Sequence, residues 1–412
     1  MCSKWPIPRT KKDKLDKKST QYIIYSMETA TQFSISDPQF VVDPKPKFNK
    51  KKIGTLLGGL FVALAFTFGI AWLVESRNLS GELLSPFVGI KNAIEFPKEV
   101  TMNPITGEVV PVEPAPEWKG LRPLAVMVNN HPDARPQSGL IYADLVYEIV
   151  AEGGITRFLS FFLTNTPEKI GPVRSTREYY LVLVKELGDA MIMHIGWSPQ
   201  ALEAIETWPV RSLGRGGGTF WRDNPRDVAI EHTAYTNGKE LREVGATLGW
   251  EGTREFEAWL FKDDMNKYNS FPDAKDITVD FWYPGDFTAA FKYKPETNTY
   301  LRFMGYDETD APLAHLDQET KEQIEVKNLI VQFVTEAPVE GDDKSRLTYE
   351  LIGSGKGLVF IDGKVIEVTW SKAERDSRTL FYDTNGKPLE FNRGKFWISV
   401  VPDRNTAQVV YN

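Results

Sequence analysis

The sequence predicts a membrane-anchored α/β domain, a mixed sheet with flanking helices, followed by a β-rich C-terminal domain. Strand-like and helix-like apolar patterns alternate between residues 120 and 270, which is typical of an α/β domain. After residue 275 the apolar segments are short, β-branched and separated by turn residues. A chain of 412 residues, 42% hydrophobic and 25% charged, has enough material for two or three cores.

Residues 1–52 form a predicted disordered, basic cytoplasmic tail. They carry twelve Lys and Arg against five Asp and Glu, although the whole chain has a net charge of −7. No sustained apolar period runs through this segment, so it is predicted to lack a core of its own.

An uncharged apolar run over residues 53–74 predicts a single-pass transmembrane helix, because 22 residues span roughly 33 Å as a helix. Three lysines precede the run and Glu75 follows it. The positive-inside rule then places the N-terminus in the cytoplasm and the remaining chain outside the cell membrane. Prolines at residues 75–119 predict an extended stalk. The only cysteine, Cys2, lies on the cytoplasmic side, which excludes thiol catalysis outside.

The predicted α/β domain, residues 120–270, opens with the strand RPLAVMVNN. A hairpin turning at Gly153 and Gly154 follows, and a register with Val150 opposite Arg157 would place Glu148, Glu152 and Arg157 on one face. A helix from Ser175 to Leu187, a strand, and a second helix capped by Ser198 come next. Residues 275–412 form the predicted β-rich domain.

The stretch GPVRSTREYY places two arginines at the predicted start of a helix. Ser175 and Glu178 match a capping box, which explains them structurally. Arg174 and Arg177 are unfavourable there, because the helix N-terminus already carries partial positive charge. Their charge is balanced either by an internal carboxylate, such as Glu152, or by a bound anion.

The preference for arginine over lysine in one part of the chain favours a bound anion as the partner of Arg174 and Arg177. Residues 121–237 contain nine arginines and two lysines, whereas lysine predominates elsewhere. The guanidinium fork suits bidentate recognition of phosphate or carboxylate, although buried ion pairs would leave the same bias. The candidate arginines include one in a glycine-rich loop over residues 210–227 that is placed to close over a site. They are Arg135, Arg157, Arg174, Arg177 and Arg222.

Two histidines, His194 and His232, stand at positions where site residues are common, although a structural role explains each of them as well. No pair of the four histidines has metal-ligand spacing, so no metal is expected. The usual hydrolase motifs are absent from the sequence.

The motifs NPITGEVV, RPLAVMVNNHPDARPQSGL, ADLVYEIVAEGGITRF, GPVRSTREYY and HIGWSPQA together resemble the YerB-like bacterial family of envelope proteins. The resemblance extends from Asn103 to Asn412 and implies two domains and an envelope location, but no agreed reaction. Members of that family are often lipoproteins, whereas this chain has a predicted membrane helix.

The order of landmarks is also similar to that of LytR-CpsA-Psr phosphotransferases, whose arginines bind a lipid pyrophosphate. This similarity aligns Arg135, Asp144 and Arg174 with their motifs, while Ser175 stands where those enzymes have an aspartate. It implies a phosphoryl or glycosyl-phosphate transferase in which Asp144 would hold magnesium. No other cofactor is expected.

Our first hypothesis is an extracytoplasmic protein of the cell envelope that binds an anionic cell-wall polymer or precursor. The ligand-binding candidates are Arg135, Asp144, Glu152, Arg157, Arg174, Arg177, His194, Arg222 and His232. The alternatives are the transferase and a regulator of wall synthesis that binds envelope proteins through its β-rich domain. No nucleic-acid partner is expected.

Overall fold

The computed structural model describes residues 99–215, 219–263 and 267–412. The predicted tail, the predicted transmembrane helix over 53–74 and the first part of the predicted stalk lie outside the described residues. Among the residues described, no helix is long and apolar enough to cross a membrane.

Among the described residues, ten strands precede residue 270. They are β1 (Val100–Met102), β2 (Val109–Pro111), β3 (Leu124–Asn129), β4 (Leu145–Glu152), β5 (Ile155–Phe162), β6 (Met191–Met193), β7 (Arg211–Ser212), β8 (Phe220–Arg222), β9 (Ala234–Thr236) and β10 (Leu260–Lys262).

Fourteen strands follow residue 270. They are β11 (Asp276–Val279), β12 (Ala289–Lys294), β13 (Thr299–Tyr306), β14 (Pro312–Ala314), β15 (Glu325–Val326), β16 (Asn328–Val334), β17 (Glu336–Pro338), β18 (Leu347–Tyr349), β19 (Gly353–Ile361), β20 (Lys364–Lys372), β21 (Leu380–Tyr382), β22 (Glu390–Asn392), β23 (Phe396–Pro402) and β24 (Val409–Tyr411).

The α-helices of the described chain are short. They are α1 (Glu178–Lys185), α2 (Pro199–Thr207) and α3 (Gly238–Thr247). Single-turn or irregular 3₁₀ segments occur at Pro132–Ala134, Leu140–Tyr142, Leu213–Arg215, Ile230–His232 and Asp403–Gln408.

A mixed sheet of ten strands organises the core, in the order β21-β20-β19-β16-β23-β4-β5-β3-β6-β7. Its central strands are buried along their whole length, as expected for a sheet covered on both faces. Strand β23 pairs in parallel with both β16 and β4. The C-terminal part of the chain therefore supplies the middle of the sheet.

A second, antiparallel sheet has the order β14-β13-β12-β11-β24, and β15 also pairs with β13. The remaining strands form two-stranded ribbons, β1-β2, β8-β9, β10-β22 and β17-β18. The fully buried ion pair of Glu148 on β4 and Arg302 on β13 connects the two sheets.

The fold-class prediction of an α/β domain with flanking helices is wrong. The described residues form a mainly β protein around a large mixed sheet, with helices of only 8, 9 and 10 residues. Strands from both predicted domains share this sheet, because the apolar run FWISVVP pairs with β4 at positions about 250 residues apart. The predicted domain ranges, 120–270 and 275–412, stay predictions.

The hairpin between β4 and β5 is confirmed, with Gly153 and Gly154 at its turn, but the predicted register is wrong. Arg157 pairs with Ile149 rather than Val150, and an irregularity lies between Val150 and Glu152. Side chains alternate faces along a strand, so Glu148 lies on the face opposite Arg157. The extra residue at the bulge returns Glu152 to the face of Arg157.

The predicted start of the first helix is also wrong. The N-cap of α1 is Arg177, not Ser175, and it makes no side-chain capping hydrogen bond. Residues 174–176 instead run extended beside residues 195–198: Ile195 N donates to Arg174 O, and Thr176 N donates to Gly196 O. Tertiary pairing has overridden the local capping preference. In α2 the predicted cap is confirmed, since Ser198 Oγ accepts from Ala201 N at 3.2 Å.

Candidate functional site

One carboxylate, that of Glu152, holds two arginines together. Arg177 Nη2 donates to Glu152 Oε2 at 2.7 Å, and Arg157 Nη2 donates to Glu152 Oε1. The bulge brings Glu152 onto the face of Arg157, and Arg177 lies at the N-cap of α1. The helix is fixed over β4 because Tyr180 Oη donates to Ile149 O at 3.1 Å. Arg157 also donates to Ser175 O at 3.0 Å.

The cluster carries more positive than negative charge. Burial raises the pKa of Glu152, but Arg157 and then Arg177 outweigh this effect, so the pKa lies below its ordinary value of 4.5. Burial, and next the charge of Arg177, lower the pKa of Arg157. Glu152 is therefore a carboxylate that neutralises only one of two adjacent guanidinium groups.

Arg174 differs from its neighbours because its guanidinium has no hydrogen-bond or ion-pair partner among the described residues. Its side chain is half-buried. The backbone around it is fixed, since Arg174 N donates to Met127 O at 2.9 Å and Arg174 O accepts from Ile195 N. Its charge adds to the effect of Arg157 and Arg177 in lowering the pKa of Glu152, and to the effect of burial and His131 in lowering the pKa of His232.

The imidazole of His232 belongs to a stacked pair of histidine rings. The rings of His131 and His232 lie 4.4 Å apart, inclined by 14°. His131 follows β3, and His232 ends a 3₁₀ turn just before β9, whose Ala234 O accepts from Val173 N. Asn129 connects the pair: its Nδ2 lies 2.8 Å from His232 Nδ1, and its Oδ1 accepts from His131 N. Burial, and next His131, lower the pKa of His232.

Arg135 lies in a different environment. Its Nη2 donates to Asn130 O at 2.9 Å, and its guanidinium lies 5.2 Å from the ring centroid of Phe287. Burial, and next Arg302, lower its pKa to about 10. Its charged neighbours are Arg302, Glu148 and Asp286, so Arg135 shares no charged partner with the three arginines near Glu152.

Asp144 occupies a turn rather than a ligand site. Its Oδ2 accepts from Leu163 N at 2.6 Å and from Thr164 N at 2.9 Å. Complete burial raises its pKa. The carboxylate is thus engaged in holding the end of β5, and it is not part of the arginine cluster.

His194 and Arg222 also have structural partners. His194 Nε2 lies 2.8 Å from Ser212 Oγ, and its Nδ1 lies 2.9 Å from Gly196 O. Arg222 is exposed and donates to Ile230 O in the ribbon of β8 and β9. Neither contacts the Glu152 cluster.

A pocket of about 250 Å³ opens beside the cluster, between the start of α1 and the ribbon of β17 and β18. Arg177, Ser198 and Arg346 are among its lining residues. Arg177 thus contacts both Glu152 and an accessible cavity.

Of the nine predicted site residues, the structure brings Glu152, Arg157, Arg174, Arg177 and His232 into one neighbourhood. We call this group, together with His131, the arginine–histidine cluster. The sequence interpretation missed His131 and Asn129. Their one signal was their position, in the run NNHP directly after a buried strand.

The fold and the cluster define a class of mainly β protein without a recognisable catalytic constellation among its described residues. A family model described as "Protein of unknown function (DUF3048) N-terminal domain" matches residues 106–251, and the corresponding C-terminal domain matches residues 277–398. The chain belongs to this family.

The particular resemblance is to YerB, so the predicted YerB-like family is confirmed. The chain is 33% identical over 291 residues to "Putative lipoprotein YerB" of Bacillus subtilis (strain 168), covering 70% of this chain and 83% of that protein. The crystal structure of YerB protein from Bacillus subtilis matches with a TM-score of 0.63 and 31% identity. That match covers 76% of this chain and 99% of the YerB chain.

This similarity corrects the prediction of a single-pass transmembrane helix. The relative is described as a "Putative lipoprotein". Residues 53–74, where the helix was predicted, lie outside the described residues. We do not retain the membrane-spanning helix, whereas the similarity to a lipoprotein agrees with the predicted envelope location.

Proposed function

We propose that the protein is an extracytoplasmic component of the cell envelope that binds an anionic cell-wall polymer or precursor through Arg174. Its similarity to a protein described as a lipoprotein supports the location. The predicted cytoplasmic location of the N-terminus depended on the membrane-spanning helix and is not part of this proposal.

The unpartnered guanidinium of Arg174 is the observation that carries the proposal. Arg157 and Arg177 are both paired with Glu152, whereas Arg174 has no such partner in the described chain. A hydrogen bond to a charged group contributes about 1.5–3 kcal/mol. A half-buried arginine beside two further arginines therefore favours an incoming anion over solvent.

The role of each neighbour follows from its contacts. Glu152 holds Arg157 and Arg177 in place, so their positive charge is positioned before any ligand arrives. Arg157 fixes the carbonyl of Ser175, the residue that follows Arg174. Such positioning reduces the entropy lost on binding.

The transferase alternative has less support. Its proposed magnesium ligand, Asp144, is engaged with two backbone amides and has no place in the arginine–histidine cluster. The regulator that binds envelope proteins stays a prediction.

Titration of the purified full-length chain with sulfate, inorganic phosphate and a polyglycerol-phosphate oligomer tests the proposal. Arg174→Gln should weaken binding about 10- to 100-fold, the effect of losing a charge-assisted hydrogen bond. Lys239→Gln is the matched control, because it removes one charge from a side chain that is 79% exposed. Equal affinities for the wild type and Arg174→Gln would refute the proposal.

A further inference from the structure

The stacked pair of His131 and His232 has a defined arrangement of protons. Asn129 Oδ1 accepts from the backbone N–H of His131 at 3.0 Å, which fixes the orientation of the Asn129 amide. Its Nδ2 therefore donates to His232 Nδ1. A neutral imidazole has one donor and one acceptor nitrogen, so the proton of His232 resides on Nε2.

The same reasoning applies to His131. Its Nδ1 accepts from the backbone N–H of Asp133 at 3.2 Å, whereas Asp133 Oδ2 lies 3.6 Å from this nitrogen, beyond hydrogen-bond distance. The neutral ring therefore carries its proton on Nε2. Neither Nε2 atom has a hydrogen-bond partner among the described residues. The pair thus provides two N–H donors that the folded chain does not use.

These donors belong to the same neighbourhood as Arg174. Val173 is paired with Val128 of β3 and with Ala234 of β9, and the histidines immediately follow β3 and precede β9. The charge of Arg174 lowers the pKa of both His232 and Glu231. Arg174 and the imidazoles therefore act on one another electrostatically.

We propose that His131 and His232 complete the Arg174 site and that the group bound there is a phosphoryl or other tetrahedral oxyanion. This inference rests on the proposed function. A single arginine can donate one hydrogen bond to each of the two oxygens of a carboxylate. Three separate donor side chains suit an anion with oxygens pointing in several directions.

A metal ion is the competing occupant, because one ligand atom from each of His131, Asp133 and His232 lies within 4.8 Å of the others. Metal binding needs an unprotonated ring nitrogen. At Nε2 this requires the opposite tautomer in both rings, which would place N–H against N–H at Asn129 and at the amide of Asp133. At Nδ1 the ion would have to displace the donors already bound there, Asn129 Nδ2 and the Asp133 amide. The observed hydrogen bonds favour an anion.

Nitrogen-15 NMR of histidine side chains in the full-length chain tests the tautomers directly. Both rings should show a protonated Nε2 in the free protein, and sulfate should shift both Nε2 signals. Protonated Nδ1 in either ring would overturn the inference.

Substitution gives an independent test. His131→Phe and His232→Phe keep a stacked ring and remove the N–H, so each should weaken sulfate and phosphate binding about tenfold. Circular dichroism and thermal melting verify that each variant is folded. Unchanged affinity in both, together with lost binding in Arg174→Gln, would reject the histidines but retain the proposed function. An unaffected Arg174→Gln would reject the proposed function itself.

Three further probes identify the occupant. Acetate should compete weakly with sulfate; a carboxylate that binds as tightly would overturn the tetrahedral class. Zinc that binds with micromolar affinity and is lost in either histidine variant, but not in Arg174→Gln, would establish a metal site instead. Tighter binding of a glycerol phosphodiester than of glycerol phosphate would identify a unit of a wall polymer. Tighter binding of glycerol phosphate would identify a terminal phosphate. Either result supports an oxyanion as the bound group.

The pH dependence of sulfate binding requires no variant. The charged and titratable groups around His232 are His131, Glu231, Arg174 and Asp133. A bound dianion favours the protonated imidazole, whereas burial and the positive neighbours disfavour it in the free protein. Affinity should therefore rise severalfold as the pH falls from about 8 to about 5.5, and a flat profile would contradict the role of the histidines.

Discussion

Arg177 Nη2 lies 2.7 Å from Glu152 Oε2, across the gap between the start of α1 and the end of β4. The same carboxylate pairs with Arg157. The two arginines before the helix therefore differ: an internal carboxylate balances Arg177, whereas Arg174 has no carboxylate partner among the described residues.

Glu152→Gln should change stability and anion affinity in opposite directions. It leaves the buried Arg157 and Arg177 without a carboxylate, and we expect a loss of about 1–3 kcal/mol in the free energy of unfolding, measured in urea. The removed negative charge should raise the affinity for sulfate severalfold. Glu203→Gln, on the exposed face of α2, serves as the control. Lower sulfate affinity in Glu152→Gln would contradict our description of the cluster.

Acid should remove the stabilisation that Glu152 provides. Its pKa in the folded protein lies below the ordinary value of 4.5, so the carboxylate stabilises the fold above pH 4.5 and loses this effect as the pH falls through the lower, folded-state pKa. The difference in unfolding free energy between the wild type and Glu152→Gln should therefore shrink in this acidic window. A difference that grows on acidification would show that Glu152 does not have a lowered pKa.

The buried pair of Glu148 and Arg302 predicts a different pattern. Both side chains are fully buried, and Glu148 Oε2 also accepts from Trp397 Nε1 at 3.0 Å. Arg302→Met leaves an uncompensated charge and should destabilise the protein by about 3–5 kcal/mol. The double variant Glu148→Leu with Arg302→Met should be less destabilised than Arg302→Met alone. Chemical denaturation of the three proteins measures this coupling, and additive losses would contradict it.

Ser198 caps a helix in the structure, whereas Ser175 only matches the sequence pattern of a cap. Ser198→Ala should lower the free energy of unfolding by about 1 kcal/mol, because its hydroxyl accepts from Ala201 N at the start of α2. Ser175→Ala should have a smaller effect, since Ser175 caps no helix. Thermal melts of both variants make the comparison. An equal or larger loss for Ser175 would support the capping box that the sequence suggests.

Local features of the fold could be predicted from the sequence. The turn at Gly153 and Gly154 and the cap at Ser198 depend on the backbone preferences of a few adjacent residues, and both are observed. The hairpin register failed by one residue because a bulge near Ala151 has no clear sequence signal. The predicted register would place both Glu148 and Glu152 with Arg157, whereas the observed register and its bulge leave only Glu152 on that face.

Features that depend on distant residues could not be predicted in this way. The extended conformation of residues 174–176 comes from pairing with residues 195–198, so the apparent capping box gave the wrong helix start. His131 and His232 are about one hundred residues apart in the chain, and the pairing of Val173 with both β3 and β9, together with the contacts of Asn129, brings them together. The arginine bias drew attention to residues 121–237, but it could not separate paired arginines from Arg174.

The position of β23 sets the order in which this protein can mature. Until Phe396–Pro402 has been synthesised, β4 and β16 lack their common neighbour in the central sheet. Contacts between residues so far apart slow folding. Strands β4 and β16 therefore each keep an edge without its native partner until the last strands have been synthesised.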